Sequence, residues 1–323
     1  MELVRGIDER FSRHGGFVSI GNFDGVHLGH ARIVDRLVSS ARSAGVSSVV
    51  LTFDPHPGQL LRPELAPALL STIEDRAVLL GELGVDVLVA LPTTLELLSL
   101  EASEFFGRVV VELLGARGLV EGPNFCFGRD RAGDVEMLGR LCGGEGMSLE
   151  LVEPATSGGE LVSSSRIRAS LDAGEVVTAS GMLGRAHRVR GVVVSGEGRG
   201  RELGVPTANL EGIGTLVPSG GVYVGSADVS GRRYPAAVHV GGNPTFGESD
   251  RKVEVHLLAF DGDLYGQELS VEFLERIRET REFDSADELK EQLAKDIEAV
   301  WVYLESDSVE GVGTGESSGD ELS

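Results

Sequence analysis

Cysteine is nearly absent from the sequence: the 323 residues include only Cys126 and Cys142. Their spacing fits neither a zinc site nor a disulfide framework, and a reducing cytoplasm is the expected compartment. Runs of about 18 apolar residues are also missing, which excludes a transmembrane helix. The first residues do not follow the basic-then-apolar order of a signal peptide. We therefore expect a cytoplasmic protein without a membrane partner.

Basic residues are scarce, because 29 Lys and Arg stand against 51 Asp and Glu, a formal net charge of −22. Such a field repels a polyanion, so nucleic acid is excluded as a partner. A small anion such as ATP can still bind where arginines and backbone N–H groups outweigh this repulsion locally. The segments of interest are therefore those that place arginine beside glycine.

The composition is otherwise that of a globular protein, with 41% hydrophobic and 25% charged residues, and the length allows two domains. Between residues 16 and 152 short apolar runs alternate with amphipathic helical patterns, which predicts a parallel sheet covered on both faces. A capping box of Ser71 and Glu74 is predicted to open the second helix. The predicted strands are 17–20, 46–53, 85–91, 118–121 and 148–152, and the predicted helices lie near 28–43, 72–83, 101–114 and 132–142.

From about residue 187 strand-like runs follow one another without helices between them, which predicts a small antiparallel barrel. The runs are 187–195, 221–229, 233–241, 252–260 and 268–273. Asp261-Gly262-Asp263 is a hairpin signal. Arg276, Arg278 and Arg281 are predicted to lie on a helical stretch after the last strand.

A final helix is predicted after Ser285, which forms a capping box with Glu288, and its apolar stripe is expected to pack on the barrel. The stripe consists of Leu289, Leu293, Ile297, Val300 and Leu304. Residues 305–323 contain acidic residues, no lysine or arginine and little to bury, so we predict a disordered tail. The change from alternating strands and helices to consecutive strands places the domain boundary near 181–186.

The first candidate site joins the first strand of the predicted sheet to the first helix. It reads Gly21-Asn22-Phe23-Asp24-Gly25-Val26-His27-Leu28-Gly29-His30. Glycines let the backbone approach a ligand, and the free N–H groups of a helix start favour an anion. His27 and His30 share one face of the first helical turn, where both can donate hydrogen bonds to phosphate oxygens. The alternative is a glycine-rich turn with two incidental histidines.

Polar segments also follow other predicted strands, and the carboxyl ends of parallel strands meet at one edge of a sheet. We therefore expect these segments to converge on the first site. Taken singly, each has a simpler interpretation: His56 could cap a turn, and Phe125 and Phe127 could be core residues. The segments are Thr52-Phe53-Asp54-Pro55-His56-Pro57, Gly122-Pro123-Asn124-Phe125-Cys126-Phe127-Gly128-Arg129-Asp130-Arg131 and Ser163-Ser164-Ser165-Arg166-Ile167-Arg168.

The second candidate site lies in the barrel region, where a glycine-rich stretch, 196–204, precedes Val205-Pro206-Thr207-Ala208-Asn209. A glycine-rich loop alone is a weak signal, but the Thr207 hydroxyl and the Asn209 amide oxygen suit Mg²⁺. Alternation along 253–257 places Glu254 and His256 on one face of a strand. Glu254 is then either a solvated residue of the outer face or a general base.

Together these motifs resemble the bacterial bifunctional riboflavin kinase/FAD synthetase family. The segment 21–30 resembles the His-x-Gly-His motif of nucleotidyltransferases, and 163–168 resembles their second nucleotide-binding motif. The motifs similar to riboflavin kinase follow in the expected order: Pro-Thr-Ala-Asn at 206–209, Gly-Val-Tyr at 221–223, Asn-Pro-Thr-Phe-Gly at 243–247 and Glu-Val-His-Leu-Leu at 254–258. The resemblance spans about residues 15–304.

The resemblance implies an α/β plus β architecture. Residues 1–182 would form a Rossmann-like nucleotidyltransferase domain that acts as FMN adenylyltransferase. Residues 183–304 would form a riboflavin kinase β-barrel with a C-terminal helix, and 305–323 the acidic tail. The substrates implied are riboflavin, FMN and ATP, with Mg²⁺ as the metal. The barrel would phosphorylate riboflavin to FMN, and the N-terminal domain would transfer AMP from ATP to FMN, giving FAD and pyrophosphate.

The resemblance also assigns roles to residues. His27 and His30 would hold the ATP phosphates, Thr207 and Asn209 would bind Mg–ATP, and Glu254 would act as the base of the kinase. The implied ligand contacts are Gly21, Phe23, Asp24, Gly25, Gly29, His56, Asn124, Arg129, Ser164 and Arg166 in the first domain, and Gly196, Arg199, Gly204, Pro206, Arg276 and Arg281 in the second. Cys126 stands where the family usually has arginine, and Arg129 and Arg131 lie nearby in the sequence.

Three alternatives stay open at this point. Nucleotidyltransferases with the same His-x-Gly-His motif act on nicotinate or pantetheine phosphates, although none of those should carry a riboflavin kinase barrel. A non-catalytic flavin-binding protein would be expected to have lost His27, His30, Asn209 or Glu254, all of which are present. The third alternative is the survival of a single activity, with Cys126 making adenylylation the activity at risk. The oligomeric state is not predicted.

Overall fold

The computed structural model describes residues 1–6, 15–196, 200, 204–243 and 248–310. For residues 242, 243, 248–250 and 307–310 the description covers the backbone only. The chain divides into two compact units. The first comprises Met1–Arg168 with Gly181–Gly184, and the second comprises Ala169–Ser180 with the chain from Arg185 onward.

The first unit is built on a six-stranded parallel sheet with the strand order β1-β4-β3-β2-β5-β6. The strands are β1 (Glu2–Arg5), β2 (Phe17–Ile20), β3 (Ser48–Asp54), β4 (Val87–Pro92), β5 (Gly118–Glu121) and β6 (Ser148–Leu151). The central strands are almost continuous apolar runs, as expected where helices cover both faces of a sheet. The predicted parallel sheet is confirmed, and β1 is an additional edge strand that the sequence pattern did not predict.

Helices lie on both faces of this sheet. The helices of the first unit are α1 (Leu28–Ala44), α2 (Pro57–Leu61), α3 (Ile73–Glu82), α4 (Leu95–Ser99), α5 (Ala102–Phe105) and α6 (Val135–Gly144). Two further helices, α7 (Ser164–Ala173) and α8 (Val176–Leu183), contain residues of both units. A π-helical segment, Phe106–Leu113, continues α5, so the helix predicted near 101–114 is present with a wider second part. One core layer includes Leu37 of α1 and Leu80 of α3, and the layer on the other face includes Phe105 and Leu138.

Two short strands, β7 (Thr156–Ser157) and β8 (Glu160–Leu161), form a separate antiparallel pair. The capping box predicted for the second helix is displaced by one residue. Thr72 is the N-cap of α3 and forms the box with Asp75. Ser71 is buried, and its hydroxyl does not cap the helix but accepts a hydrogen bond from the Gly25 N–H at 2.8 Å. The prediction of a box between Ser71 and Glu74 was therefore wrong.

The second unit contains a closed six-stranded barrel in the order β10-β13-β12-β11-β14-β9, and every described pairing in it is antiparallel. The strands are β9 (His187–Val194), β10 (Ala208–Glu211), β11 (Gly221–Val229), β12 (Arg232–Asn243), β13 (Glu248–Leu257) and β14 (Glu268–Arg278). The predicted antiparallel barrel is confirmed, and β10 is the strand that the prediction lacked.

Two local predictions for the barrel were wrong. Asp261-Gly262-Asp263 does not close a hairpin, since β13 and β14 are not neighbours in the barrel. Arg276 and Arg278 lie on β14, which continues to Arg278, and Arg281 lies between β14 and the last helix, so none of the three is on a helix. The pairing of β14 with β11 includes register irregularities, so the extended stretch lacks a clean period of two.

The last helix, α9 (Ala286–Glu310), packs on the barrel as predicted. Val300 is fully buried and lies in a cluster with Val224 and Leu258. The Glu288 N–H donates to Ser285 Oγ at 3.2 Å, which confirms one half of the predicted capping box. The Glu288 carboxylate accepts from the Asp284 N–H at 3.3 Å instead of from Ser285. Because the helix continues to Glu310, the tail predicted from residue 305 begins inside it, while residues 311–323 lie outside the described residues. In the part of the chain that is described, no helix has the length and apolar character needed to cross a bilayer.

Candidate active sites

The first site lies where the connectivity of the parallel sheet reverses. β2 pairs with β3 on one side and with β5 on the other, so the chain winds away from β2 in both directions. Ligand crevices in open parallel sheets form beyond the carboxyl ends of the strands at such a reversal. The loops at that edge are 21–27 after β2 and 122–128 after β5. Both contain residues that the sequence analysis assigned to the ATP-binding site.

The two histidines of loop 21–27 cap helix α1 reciprocally. His27 is the N-cap, and its Nδ1 accepts from the His30 N–H at 3.3 Å. His30 Nδ1 in turn accepts from the His27 N–H at 3.3 Å. The rings stack with centroids 3.6 Å apart. Gly29 leaves room for this arrangement, because a Cβ there would lie 3.1 Å from the His27 ring. The shared face expected from the spacing is confirmed.

This capping arrangement determines which ring nitrogens of the pair carry protons. Since Nδ1 of each histidine accepts a backbone N–H, the proton of each neutral imidazole resides on Nε2. In this tautomer each neutral imidazole has an Nε2–H group that can act as a hydrogen-bond donor. His27 is buried and His30 is half-buried. Phe23, which is also buried, lies beside them with its ring centroid 4.9 Å from that of His30.

Asp24 anchors the loop from the inside. Its carboxylate is buried and accepts from the backbone N–H groups of Leu70 and Ser71, each at 3.0 Å. It also pairs with Arg76 Nη2 at 3.1 Å and with the guanidinium of Arg168. Burial lowers the pKa of Arg76, and the Asp24 carboxylate opposes that effect. Removing one partner of such a buried network typically costs about 3–5 kcal/mol. Asp24 thus stabilises the conformation of loop 21–27 through these buried contacts.

The segments after β3 and β8 contact this loop, as the sequence predicted for residues 52–57 and 163–168. Ser164 Oγ donates to the Asp24 carbonyl at 2.9 Å. His56 caps α2, its Nδ1 accepting from the Gly58 N–H at 3.0 Å, and its Nε2 lies 2.9 Å from the Asn22 amide. Burial is the main cause that lowers the pKa of His56, and Arg168 and Arg76 act in the same direction. His56 therefore caps α2, as its simpler interpretation predicted, and also contacts loop 21–27 through Asn22.

Other predicted residues of the first site face protein partners. Arg129 pairs with Glu101. Arg166 donates to the Leu161 carbonyl at 2.5 Å and pairs with Glu160 on β8. Asn124 is exposed in the loop after β5.

The same loop also contains core residues. Phe127 is buried and stacks on Phe125 with centroids 5.7 Å apart, so the core interpretation is confirmed for Phe127. Cys126, which lies between these two phenylalanines in the sequence, is partly exposed, and its Sγ lies 3.7 Å from the Asn124 carbonyl oxygen. Gly21 sits at the start of loop 21–27, where its N–H donates to the Leu51 carbonyl at 3.0 Å.

Glu121, at the end of β5, is a residue of the first site that sequence reasoning missed. Its carboxyl is 3% exposed and accepts from the Ile20 N–H at 2.7 Å, across the gap between β5 and β2. Regular pairing of these strands covers only Phe17 with Gly118 and Val18 with Leu119. The side chain therefore replaces the hydrogen bonds of the ladder where the strands diverge. An acidic residue at the end of an otherwise apolar strand was the available signal.

We expect the Glu121→Gln variant to become more stable relative to the wild type as the pH rises from about 5 to 8. Burial raises the pKa of Glu121 well above its ordinary value of 4.5, so the folded chain retains a proton that the unfolded chain has released. The contribution of this carboxyl to stability therefore falls as the pH rises toward the folded-state pKa. Glutamine keeps the acceptor for Ile20 and cannot ionise. Melting temperatures of both proteins across this pH range test the expectation.

The control is Glu121→Ala, which leaves the Ile20 N–H unsatisfied and opens a cavity. This variant should be about 2–4 kcal/mol less stable than Glu121→Gln at every pH, because neither replacement ionises. A constant difference in melting temperature between Glu121→Gln and the wild type across the pH range would contradict the assignment of a retained proton.

The second site lies on the outer face of the barrel. In the register of β10 against β13, Asn209 is the direct partner of Glu254. Val253 and Val255 point into the barrel core, whereas Glu254 and His256 are partly exposed on the other face, which confirms the predicted alternation. His256 Nδ1 lies 2.8 Å from the Pro206 carbonyl, a contact that fixes the segment leading to Thr207.

Gly196 leaves room for the Asn209 side chain, which lies against it. A Cβ on Gly196 would approach Asn209 Nδ2 to 2.2 Å. Gly204 has a positive φ of 82° in the turn that precedes Pro206. Arg199, which the sequence analysis assigned to this site, lies outside the described residues, as does Pro244–Gly247 of the Asn-Pro-Thr-Phe-Gly motif.

Arg276 and Arg281 are held by protein groups. Arg276 Nη2 donates to the Gly220 carbonyl at 2.6 Å, and its guanidinium lies 6.0 Å from the Tyr223 ring centroid. Arg281 follows β14, donates to Gln292 of α9 at 2.9 Å and lies over the Phe283 ring at 4.7 Å. Arg281 is thus directed to α9.

No group of three or more His, Cys, Asp or Glu side chains within the described residues is arranged to hold a metal ion. Thr207 and Asn209 are hard-oxygen donors of the kind that Mg²⁺ prefers.

The two units define a class of protein in which a six-stranded parallel sheet, with a crevice at the carboxyl ends of its strands, is followed by a closed six-stranded barrel. A model of the family described as FAD synthetase matches residues 10–166, and one of the family described as riboflavin kinase matches residues 183–304. A bifunctional riboflavin kinase/FMN adenylyltransferase of Pseudomonas fluorescens is 40% identical over 301 residues, which cover 93% of this chain and 96% of that protein. The chain belongs to the bifunctional riboflavin kinase/FMN adenylyltransferase family.

Further similarity extends along most of the chain. The protein of the same name from Bacillus subtilis is 34% identical over 286 residues, covering 86% of this chain and 89% of the other. A crystal structure from Streptococcus pneumoniae, described as that of a macrolide-efflux protein, has a TM-score of 0.84 at 31% identity. It covers 93% of this chain and 99% of its own, and the two proteins share their fold.

Proposed function

We propose that the chain converts riboflavin to FAD in two ATP-dependent steps, and that the barrel acts first. The observation that carries this proposal is the match of both family models, one in each half, to segments whose candidate catalytic residues are intact. The match over residues 183–304 is also the reason for rejecting nicotinate or pantetheine phosphates as substrates. The reaction class is transfer of a phosphoryl group followed by transfer of an adenylyl group.

In the kinase step, the ribityl 5′-hydroxyl oxygen of riboflavin attacks the γ-phosphorus of ATP, and Glu254 accepts the proton of that hydroxyl. The new bond joins that oxygen to phosphorus, the bond from phosphorus to the β,γ-bridging oxygen breaks, and ADP leaves. The position of Glu254 beside Asn209 on the partly exposed face supports this role. If the ATP phosphates bind beside Asn209, the riboflavin hydroxyl that attacks them lies within reach of the Glu254 carboxylate, as general base catalysis requires.

Thr207 and Asn209 would hold Mg²⁺ through the hydroxyl and the amide oxygen. When bound, the ion neutralises charge on the ATP phosphates. The chain contributes the orientation of these oxygens: the contact of His256 with the Pro206 carbonyl fixes the backbone before Thr207, and Gly196 leaves space for the Asn209 amide. We assign Gly196, Gly204 and Pro206 to this support, and Arg276 to the flavin side of the barrel.

In the adenylylation step, a phosphate oxygen of FMN attacks the α-phosphorus of ATP, the bond to the α,β-bridging oxygen breaks, and pyrophosphate leaves. No base is required, because the FMN phosphate is already an anionic nucleophile. Catalysis then depends on orientation and on donors aimed at the developing negative charge. The Nε2–H groups assigned to His27 and His30 are suitable donors, and the start of α1 adds backbone N–H groups.

The remaining residues of the first site are assigned to loop support and to ligand contacts. Asp24, Gly25 and Ser164 hold loop 21–27, and His56 positions Asn22. Asn124 and Arg166 are proposed to contact the phosphates or the flavin side. We place the protein in the cytoplasm, in keeping with two cysteines that are both free.

The proposal is tested by incubating the full chain with riboflavin, ATP and Mg²⁺ and separating the flavins by chromatography. We expect FMN to form first and FAD to follow, with both products absent when EDTA replaces Mg²⁺. A second reaction supplied with FMN isolates the adenylylation step. Absence of any product would identify the non-catalytic alternative. FMN without FAD would identify a single surviving activity, and Cys126→Arg would then show whether the departure at that position is the cause.

A further inference from the structure

His239 lies beside Glu254 on the partly exposed face of the barrel. In the registers of β10, β13 and β12, Glu254 is the direct partner of Asn209 on one side and of His239 on the other. Val238 and Val240, the neighbours of His239 along β12, are fully buried, so the imidazole points to the same face as Glu254. Asn209, Glu254 and His239 thus lie side by side on three adjacent strands. Roles are proposed above for Asn209 and Glu254 but not for His239.

The His239 ring is close to the Glu254 carboxylate. Nδ1 lies 3.7 Å from Oε2, and the side chains are 44% and 39% exposed, respectively. This separation is longer than the roughly 3.0 Å of an N–H···O contact, so the hydrogen bond proposed below requires a change of side-chain rotamer. Directly opposed residues on antiparallel strands have Cβ atoms about 4.5–5.5 Å apart, which is within reach of an imidazole and a carboxylate.

A glycine leaves room for the imidazole. A Cβ on Gly241 would stand 2.8 Å from the His239 ring, so the ring lies over the backbone two residues further along its own strand. Asn209, on the opposite side of Glu254, lies in the same way against Gly196. Each neighbour of the carboxylate therefore occupies space that a glycine leaves open. Neither contact is needed by the barrel core, which lies on the other face.

We propose that His239 is a positioning residue of the kinase site, which donates from Nδ1 to Oε2 of Glu254 and so directs Oε1 toward the hydroxyl of riboflavin. The inference rests on the proposed role of Glu254 as the base. A carboxylate on a partly exposed strand has several rotamers, and a base acts only within about 2.6–3.2 Å of the proton that it removes. A donor on one oxygen selects the rotamer in which the other oxygen can react.

The test compares His239→Ala with His239→Asn in the full chain. In the alanine variant, kcat for FMN formation should fall by about 10-fold or more, because small misplacements of reacting groups reduce rates strongly. The KM values for ATP and riboflavin should stay within about twofold of the wild type. The asparagine variant should recover most of the rate, since its amide can donate from a similar position. FAD formation from supplied FMN should be unchanged in both variants.

A double-mutant cycle separates this inference from the role of Glu254 itself. If His239 acts through Glu254, adding His239→Ala to Glu254→Gln should cause no further loss of kcat. A further loss equal to that of the single variant would overturn the inference, as would a rise in the KM for ATP with kcat unchanged, which indicates a phosphate contact. If Glu254→Gln alone retains kinase activity, the proposed base is wrong and the positioning role is overturned with it. Loss of activity in Glu254→Gln but not in His239→Ala would reject the positioning role alone.

Discussion

Replacing Glu254 by glutamine is expected to lower riboflavin phosphorylation by about 10²–10⁴-fold, the usual contribution of a positioned base. Glutamine has nearly the same shape and can still face Asn209 across the strands, but its amide cannot accept the proton of the attacking hydroxyl. Because the carboxylate acts in the transition state more than in substrate binding, kcat should fall while the KM values change little. The measurement is FMN formation from riboflavin under saturating ATP.

Two controls make this result specific. Conversion of supplied FMN to FAD should proceed at the wild-type rate, since that reaction is assigned to the other unit. Glu211→Gln is the matched substitution, because Glu211 is an exposed glutamate on the neighbouring strand β10 and faces no assigned partner group in the site. It should leave both rates unchanged. Phosphorylation that continues unaltered in Glu254→Gln would remove Glu254 from the mechanism.

Replacing His30 by alanine is expected to lower FAD formation by about 10²–10³-fold, the effect of removing one donor to a developing negative charge. FMN should then accumulate in a reaction started from riboflavin, because the kinase step does not use this residue. The loss combines two effects. The Nε2–H donor disappears, and the His27 N–H loses the acceptor that completes the cap of α1. Loss of a cap costs about 0.5–2 kcal/mol of stability.

His30→Gln separates the two effects. Glutamine at the third position of a helix can accept the N–H of the N-cap residue, as in an ordinary capping box. This variant should therefore regain the melting temperature of the wild type while its FAD formation stays low. FAD synthesis at the wild-type rate in either variant would mean that the histidine pair serves only to cap the helix.

The sequence predicted features whose cause is local. Strand β11 runs from Gly221 to Val229, with the bounds that its apolar run indicated, and α1 begins directly after His27. The shared face of His27 and His30 also follows from their spacing, since residues three apart on a helix are neighbours on its surface. The alternation of Glu254 and His256 against Val253 and Val255 is equally a property of one strand.

Features that depend on which strands become neighbours could not be predicted in this way. Asp261-Gly262-Asp263 has the composition of a hairpin turn, yet β13 and β14 are separated in the closed barrel. The assignment of Arg276 and Arg278 to a helix failed because β14 is continued by its pairing with β11. The capping box at α3 moved to Thr72 because Ser71 is used by the buried network around Asp24.

By itself, the sequence determined the two classes of site and most of their chemical groups, because motifs, strand alternation and helix starts are set by short-range geometry. Only the tertiary structure decided how those groups are used. It placed the Asp24 carboxylate between Arg76 and Arg168, Glu121 at the divergence of β5 from β2, and His239 in register with Glu254. Each of these contacts joins residues far apart in the chain. Such contacts depend on sheet order and register, which no local pattern specifies.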